Sequence, residues 1–307
     1  MLKAASPPRP KSIEDLLDAR LIAQIERLDI TSRKMFSGKL MGERRSKKRG
    51  QSVEFADHRP YVMGDDLRRI DWNIYGRLDR LFMKIFLEEE DLGLHVVIDS
   101  SASCDTGEPS KYLFMQKAAM ALGYIGLVNM NRVAATTMGD AEGSVAGSIK
   151  DLRGRRRTQD LSRFICSIEP QGGYSFREAA ERIAISRRGK GVMIIFSDFL
   201  FKDGYESGLR LLTGRGYDVI CVQVLSPQEV DPPIAGDLRL KDVEDGDFAE
   251  VTIAAPLIKK YKATVAAYCQ QLQEFCTQRD MGYVFAKSDL PIDLLLLDYL
   301  RRRGVLQ

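Results

Sequence analysis

Cysteine and histidine are scarce in this sequence of 307 residues, and each scarcity limits the kinds of site that the protein can contain. The five cysteines are odd in number and no two of them are separated by two residues, which excludes a disulfide framework and the paired cysteines of a zinc site. With only two histidines, a Ser-His-Asp hydrolase would depend on His58 or His95. His95 lies within an apolar run, where a histidine of the core is expected.

The sequence also has no long apolar run and little net charge. No stretch approaches the ~20 apolar residues of a membrane-spanning helix, and Met1–Asp18 contains prolines and acidic residues where a signal peptide needs an apolar segment. The formal net charge is only +3, so no overall field favours nucleic acid or membranes. Together with the unpaired cysteines, these features predict a cytoplasmic protein without a membrane span.

The stretch Leu94–Ile98 is apolar enough to be a strand buried on both faces, which is typical of the centre of a parallel sheet. Polar side chains then follow at alternate positions, as Asp99, Ser101 and Ser103. Ligands bind beyond the C-terminal ends of parallel strands, and one carboxylate with two hydroxyls is a set of hard oxygen donors. The pattern therefore predicts a site for Mg²⁺ or Mn²⁺. A polar strand-to-helix turn with serine as the N-cap is the alternative interpretation.

Strands and helices alternate along the rest of the chain, which predicts an α/β fold with a doubly wound, mainly parallel sheet. We expect a disordered tail at residues 1–11, an N-terminal region containing β structure at 12–90, and the α/β domain at 91–307. The pair Asp245-Gly246 is a hairpin signal, and a long helical pattern follows it. These features indicate a hairpin-plus-helix insertion at about 226–281.

Charges of both signs crowd the stretch between Asp57 and Trp72. Arginines and aspartates at this density predict an internal network of ion pairs with Trp72 packed beneath it. Asp65, Arg69 and Asp71 are its expected structural members. An active site in this stretch is the alternative.

A second apolar strand, Gly191–Phe196, ends in Ser197 and Asp198. Because right-handed crossovers place the C-terminal ends of all parallel strands at one edge, Asp99 and Asp198 can be neighbours. The chain order is Asp-x-Ser-x-Ser after one strand, then a Gly-Gly loop, then Asp after a later strand. This order resembles the metal-ion-dependent adhesion site of von Willebrand factor A domains.

The resemblance extends to the family called domain of unknown function fifty-eight, over roughly residues 20–305. It is carried by segments on both sides of the metal motif: Arg49-x-x-Ser52-x-Glu54-Phe55, Arg59-x-Tyr61-x-x-Gly64-Asp65, Arg69-Ile70-Asp71-Trp72, Leu240-x-Asp242-x-Glu244-x-Gly246 and Leu300-Arg301-x-Arg303-Gly304. What the resemblance implies is a cytoplasmic von Willebrand A-like protein that works with a MoxR-type AAA+ ATPase and a client protein, in the assembly or maturation of a protein complex.

The loop after the glycine pair departs from the adhesion-site pattern. Such domains place a threonine directly after the pair, whereas Gly172-Gly173 is followed here by Tyr174 and Ser175. Because the hydroxyl of a tyrosine is far from its backbone, we expect Ser175 to supply the missing oxygen and Mg²⁺ to bind weakly. The predicted metal ligands are Asp99, Ser101, Ser103, Ser175 and Asp198.

Three classes of function are open at this point. The leading hypothesis is a non-catalytic binding module, in which a carboxylate of the partner protein fills an open position on the metal. The alternative is a magnesium-dependent phosphatase or hydrolase with Asp99 at the metal site. Ser101 stands where that chemistry would need a second carboxylate, and no lysine is evident near Asp198. Nucleic-acid binding through the basic runs Arg44–Arg49 and Arg153–Arg157 is disfavoured because no aromatic residues are interleaved with them.

Overall fold

The computed structural model of the protein describes residues 9–30, 54–63, 65–87, 93–139, 145, 147–170, 172–186, 191–234, 236–241, 248–302 and 306. They form two compact units, one within Met41–Asp91 and the other within Met1–Leu40 and Leu92–Gln307. Each unit is described by itself.

The strands and helices are labelled in chain order. The strands are β1 (Glu54–Pro60), β2 (Phe82–Leu87), β3 (Gly93–Asp99), β4 (Arg132–Met138), β5 (Gly147–Leu152), β6 (Gly191–Ser197), β7 (Tyr217–Leu225), β8 (Gly236–Lys241), β9 (Phe248–Ile253) and β10 (Gly282–Lys287). The helices are α1 (Ile13–Leu16), α2 (Ala19–Ile25), α3 (Trp72–Leu78), α4 (Lys111–Val128), α5 (Thr158–Cys166), α6 (Phe176–Ser186), α7 (Glu206–Gly214), α8 (Pro227–Val230), α9 (Ala255–Thr277) and α10 (Ile292–Leu294), which continues as a π-helix at Leu295–Leu300. Short 3-10 helices lie at Leu67–Arg69, Ala102–Asp105 and Arg155–Arg157.

Six strands form the sheet of the larger unit, in the order β10-β7-β6-β3-β4-β5. All neighbours are parallel except β5, which runs antiparallel to β4 at one edge. If these six strands are numbered 1 to 6 along the chain and read from β5 to β10, the sheet has the doubly wound order 3-2-1-4-5-6. The winding reverses between its strands 1 and 4, which are β3 and β6. The predicted α/β fold with a doubly wound, mainly parallel sheet is confirmed.

Helices cover both faces of this sheet, and the side chains of β3 alternate between two cores. Leu94, Val96 and Ile98 enter the core that includes α4, whereas Val97 enters the opposite core with residues of α6 and α7. Because β3 and β6 are buried along both faces, their sequences are mainly apolar and do not alternate between apolar and polar residues.

The N-terminal residues 9–30 belong to the larger unit. α1 and α2 contribute to the core that includes α4. Pro10 is buried, and the Arg9 guanidinium donates two hydrogen bonds to the Asp105 carboxylate at 3.0 and 2.6 Å. The predicted disordered tail at 1–11 therefore does not extend to Arg9 and Pro10, because these contacts order them. Residues 1–8 lie outside the described part of the chain.

Between β7 and β10 the chain forms α8, the antiparallel hairpin β8–β9, and α9. α9 buries Leu272 and Cys276 in one of the two cores, as a crossover helix of a doubly wound sheet does. α9 therefore belongs to the regular α/β fold. The insertion is shorter than the predicted range 226–281, because it does not include α9. The hairpin turn at Asp245-Gly246 lies outside the described residues.

In the smaller unit β1 and β2 pair antiparallel, and two aspartates hold the segment between them. Asp65 accepts two hydrogen bonds from the Arg59 guanidinium, at 2.7 and 2.6 Å. Asp71 accepts one from His58 Nε2 at 3.0 Å and caps the first turn of α3, and the bond from His58 lowers the pKa of Asp71 to about 2. Asp65 is thus paired with an arginine as predicted, but this pair is exposed and not internal. Asp71 is bonded to a histidine instead of an arginine. The Arg69 side chain lies outside those described.

Trp72 is 62% exposed, so the prediction that it packs beneath this network is wrong. It is the first residue of α3, and no residue of that helix is buried. The indole ring meets the Tyr75 ring edge-on, with 6.1 Å between centroids. A helix without a buried face gives the ring no core to enter.

Candidate metal centre

Asp99 and Asp198 meet at the point where the winding of the sheet reverses. Asp99 is the last residue of β3, Asp198 follows the last residue of β6, and these two strands are parallel neighbours. The crevice at such a reversal is where open α/β sheets bind ligands. Both aspartates are buried, at 0% and 3% exposure. The geometry thus brings together the two acids that the sequence places at separate strand ends.

Local hydrogen bonds orient the two carboxylates. Asp99 accepts from the Ser101 backbone N–H at 2.9 Å and from the Ser197 hydroxyl at 2.5 Å. Asp198 accepts from the Leu200 N–H at 3.1 Å. The hydroxyl oxygens of Ser101 and Ser103 lie 3.0 Å apart, so Asp99, Ser101 and Ser103 form one compact loop of oxygen donors, as their spacing predicts.

Cys104 is a member of the site that sequence analysis missed. Its sulfur lies 3.8 Å from Asp198 Oδ2 and 3.4 Å from the Ser101 hydroxyl. One ligand atom from each of Asp99, Cys104 and Asp198 lies within 4.8 Å of the others. Burial, and then the charges of Asp198 and Asp99, raise the pKa of the thiol well above its ordinary value. Its position directly after the Asp-x-Ser-x-Ser motif was the signal that could have found it.

Lys111 is the second residue that sequence analysis missed, and the expectation that no lysine lies near Asp198 was wrong. The Lys111 ammonium donates to Asp198 Oδ2 at 2.9 Å and to Glu229 Oε1 at 2.5 Å. Its side chain has no exposed surface. A lysine as the first residue of a largely apolar helix was the available signal, because the helix dipole disfavours a cation there.

The charges of the site favour an additional cation. Burial, and then repulsion from Asp198, raise the pKa of Asp99 to about 6. When ionised, the carboxylates of Asp99, Asp198 and Glu229 outnumber the single Lys111 ammonium by two. A divalent cation would balance this group, and the hydroxyls of Ser101 and Ser103 are ligands that Mg²⁺ and Mn²⁺ accept. The residues present therefore fit a divalent metal.

The glycine-pair loop lies against this site. The Gly172 carbonyl accepts from the Ala102 N–H at 3.2 Å. The Tyr174 hydroxyl is buried and makes no hydrogen bond in the part of the chain that is described, and burial followed by the Asp99 charge raises its pKa well above the ordinary value. The Tyr174 hydroxyl thus lies on the inner side of the loop, and the assignment of the missing oxygen to Ser175 stays a prediction. Ser175 is half-buried, and its carbonyl accepts from the Ala179 N–H at 3.1 Å.

Comparison with protein families decides the affiliation of the chain. A family model described as "Protein of unknown function DUF58" matches residues 57–271, which is more than half of the sequence. The chain belongs to this family. The DUF58 match includes both aspartates, Lys111 and Glu229.

Relatives of this DUF58 protein are known from mycobacteria. "Uncharacterized protein Rv1480" of Mycobacterium tuberculosis (strain ATCC 25618 / H37Rv) is 28% identical over 260 residues, which cover 83% of this chain and 80% of the relative. "Uncharacterized protein MAV169" of Mycobacterium avium is 31% identical over 119 residues, which cover 38% of this chain and 69% of the relative.

Solved structures similar to this DUF58 protein include BatB from Bacteroides thetaiotaomicron, at 13% identity and a TM-score of 0.42, over 70% of this chain and 97% of that one. Manganese-loaded TRAP protein from Plasmodium vivax is 13% identical with a TM-score of 0.33, over 67% of this chain and 72% of that one. Likeness at this level adds nothing to the sheet order already described. None of the helices described in this DUF58 chain has the length and apolar content that a bilayer crossing requires.

The unpartnered Tyr174 hydroxyl leads to a test of how this DUF58 site is built. We expect Tyr174→Phe to weaken Mg²⁺ binding by about tenfold, since it removes an oxygen that faces the site and leaves the ring against Phe201. Isothermal calorimetry with MgCl₂ measures the change. Tyr124→Phe is the matched control, because the Tyr124 hydroxyl donates to Glu26 instead. Equal Mg²⁺ affinity in the parent and Tyr174→Phe would show that this hydroxyl has no part in the site.

Proposed function

We propose that this protein is a non-catalytic, metal-dependent binding module. The observation that supports the proposal most directly is the pair of buried aspartates at the reversal of the sheet, whose negative charge the Lys111 ammonium only partly balances. A divalent cation held there incompletely by the protein would have a position left for a carboxylate of a partner protein.

Asp99, Ser101, Ser103 and Asp198 are the residues that we propose to hold the metal, with a further hydroxyl from Tyr174 or Ser175. When bound, the metal supplies a positive centre that attracts an anionic ligand. The protein orients the donors: backbone N–H groups and the Ser197 hydroxyl fix the two carboxylates. The oxygen donors favour Mg²⁺ or Mn²⁺, whereas the Cys104 thiol would add preference for a softer metal if it joined the shell.

We further propose that the partners are a MoxR-type AAA+ ATPase and its client protein, and that the complex works in the cytoplasm on the assembly or maturation of a protein complex. The support for this is the family signature on both sides of the metal motif, which this chain carries from Arg49 to Gly304.

The described geometry gives no comparable support to a metal-dependent hydrolase. Lys111 is enclosed and already paired with two carboxylates, so its ammonium is not offered to a substrate phosphate. His95 is buried and its Nε2 lies 2.8 Å from the Thr136 hydroxyl, as a core histidine does. We therefore propose binding without catalysis.

Capture of a purified MoxR-type ATPase from the same organism tests this function. We expect the full-length protein to retain the ATPase in MgCl₂ and to release it in EDTA, and Asp99→Asn to retain none. Asp237→Asn is the matched control, because Asp237 lies on β8 and bonds to Thr252. Equal capture by the parent and Asp99→Asn, with or without Mg²⁺, would contradict the proposal.

A further inference from the structure

Lys111 is a fully enclosed cation beside a proposed metal ligand. Its ammonium lies 2.9 Å from Asp198 Oδ2 and 2.5 Å from Glu229 Oε1, and its side chain has no exposed surface. Burial acts to lower the pKa of Lys111, but the negative charges, that of Asp198 foremost, outweigh it and raise the pKa above the ordinary value. The side chain is therefore charged throughout the physiological pH range.

Stability alone does not account for this lysine. As the first residue of α4 it faces the positive end of the helix dipole, where anions are favoured and cations are not. A buried ion pair also stabilises a fold no better than well-packed apolar side chains of similar volume. The rest of α4 is rich in such side chains. The positive charge of Lys111 at this position therefore indicates that the ammonium acts on the metal site.

The contacts of Asp198 show what that effect is. Its Oδ1 accepts from the Leu200 N–H, and its Oδ2 accepts from Lys111. A metal bound at Asp198 would share this carboxylate with the ammonium, and two cations a few ångströms apart repel each other strongly where water is excluded. The lysine and the metal therefore compete for the same group.

We propose that Lys111 is an internal competitor of the divalent cation: its ammonium holds Asp198 in the metal-free protein and keeps only Glu229 once a metal is bound. This inference rests on the proposed function in one respect, which is that the site binds a metal. It goes beyond that function because it assigns the control of metal affinity to a residue outside the ligand set.

Glu229 is placed to keep the ammonium when Asp198 is released. Its Oε2 accepts from the Ser226 N–H and hydroxyl at 2.7 and 3.0 Å, which leaves Oε1 for Lys111. The Glu229 side chain is 27% exposed, so water reaches this carboxylate although it does not reach the ammonium. In the metal-bound state the ammonium and the metal together balance all three carboxylates.

Two substitutions with opposite expected signs test the competition in the full-length protein. Lys111→Met removes the ammonium and keeps the length of the side chain, so we expect Mg²⁺ and Mn²⁺ to bind at least about tenfold more tightly by calorimetry. Glu229→Gln removes the second partner, which leaves the ammonium on Asp198, so we expect weaker binding of both ions. Lys262→Met is the matched control, since Lys262 pairs with Asp231 outside the site and its loss should leave metal affinity unchanged.

Thermal unfolding gives a second readout. Without metal, Lys111→Met should melt below the parent, because Asp198 and Glu229 lose their common partner, and MgCl₂ should raise its melting temperature more than it raises that of the parent. If Lys111→Met binds metal with equal or lower affinity, or if Glu229→Gln binds it more tightly, the competition is refuted. Should Lys111→Met fail to fold, the direction of change in Glu229→Gln decides.

These measurements separate the inference from the proposed function. Tighter metal binding by Lys111→Met, with no metal-dependent capture of the ATPase by any variant, would support the competition and overturn the binding module. Metal-dependent capture by the parent with unchanged metal affinity in Lys111→Met would do the reverse. An absence of metal binding in both proteins would overturn both.

Discussion

Asp99→Asn is expected to abolish Mg²⁺ binding and at the same time to make the metal-free protein more stable at neutral pH. The amide has the shape of the carboxylate and one of its carboxyl oxygens, but it lacks the charge that a metal needs. It also relieves the repulsion from Asp198 that helps to raise the pKa of Asp99 to about 6. We expect metal affinity to fall by more than about 100-fold, since altering even an outer-shell partner costs 10–100-fold.

The same variant has a pH signature. Between about pH 4 and pH 6 the folded parent binds a proton at Asp99 that the unfolded chain has lost, because its pKa is raised from 3.8 to about 6. The stability that this carboxyl contributes is therefore present below pH 4 and is lost as the pH rises to about 6. Asp99→Asn should lack this decline. Denaturant unfolding across that range measures it, and a variant less stable than the parent at pH 7 would mean that Asp99 acts as a structural group.

Gly191→Ala is expected to have the largest effect on the fold. Gly191 pairs with Gly93 where β6 and β3 begin, and a Cβ added at Gly191 would lie 2.2 Å from the Gly93 carbonyl oxygen. A clash with backbone cannot be relieved by rotating a side chain, so the two strands that carry the aspartates must separate. We expect a loss of about 3 kcal/mol or more in the free energy of unfolding, measured by urea denaturation.

Gly214→Ala is the matched control for this substitution. Gly214 ends α7, and a Cβ there would meet nothing within 4 Å, so little change in stability is expected. If Gly191→Ala is as stable as Gly214→Ala, the close approach of β3 and β6 is not a feature of the folded protein. The position of Asp99 beside Asp198, which depends on that close approach, would then be in error.

The fold was predictable because its central strands can be recognised in the sequence. β3 and β6 are buried on both faces, so each has a mainly apolar sequence that ends in polar residues. α4 is rich in apolar residues because nearly all of its residues are buried. The placement of Asp99 beside Asp198 followed from the rule that parallel strands end at one edge, and needed no knowledge of the loops.

The partners of those aspartates were not predictable in the same way. Lys111 is separated from Asp198 by 87 positions and from Glu229 by 118, so only the packing of α4 against the strand ends brings them together. The Tyr174 hydroxyl enters the site because of the direction of one ring, which a motif of residue types does not specify. Trp72 was expected to be buried because large aromatic residues usually are, yet α3 has no buried face.

Crystals of the full-length protein grown with MnCl₂ provide the most direct test of the metal site, because manganese is located by its anomalous scattering. We expect a single strong peak between Asp99 and Asp198, in contact with the hydroxyls of Ser101 and Ser103, with the Lys111 ammonium withdrawn from Asp198 towards Glu229. A map with no peak at this edge of the sheet, and Lys111 still bonded to Asp198, would contradict this expectation.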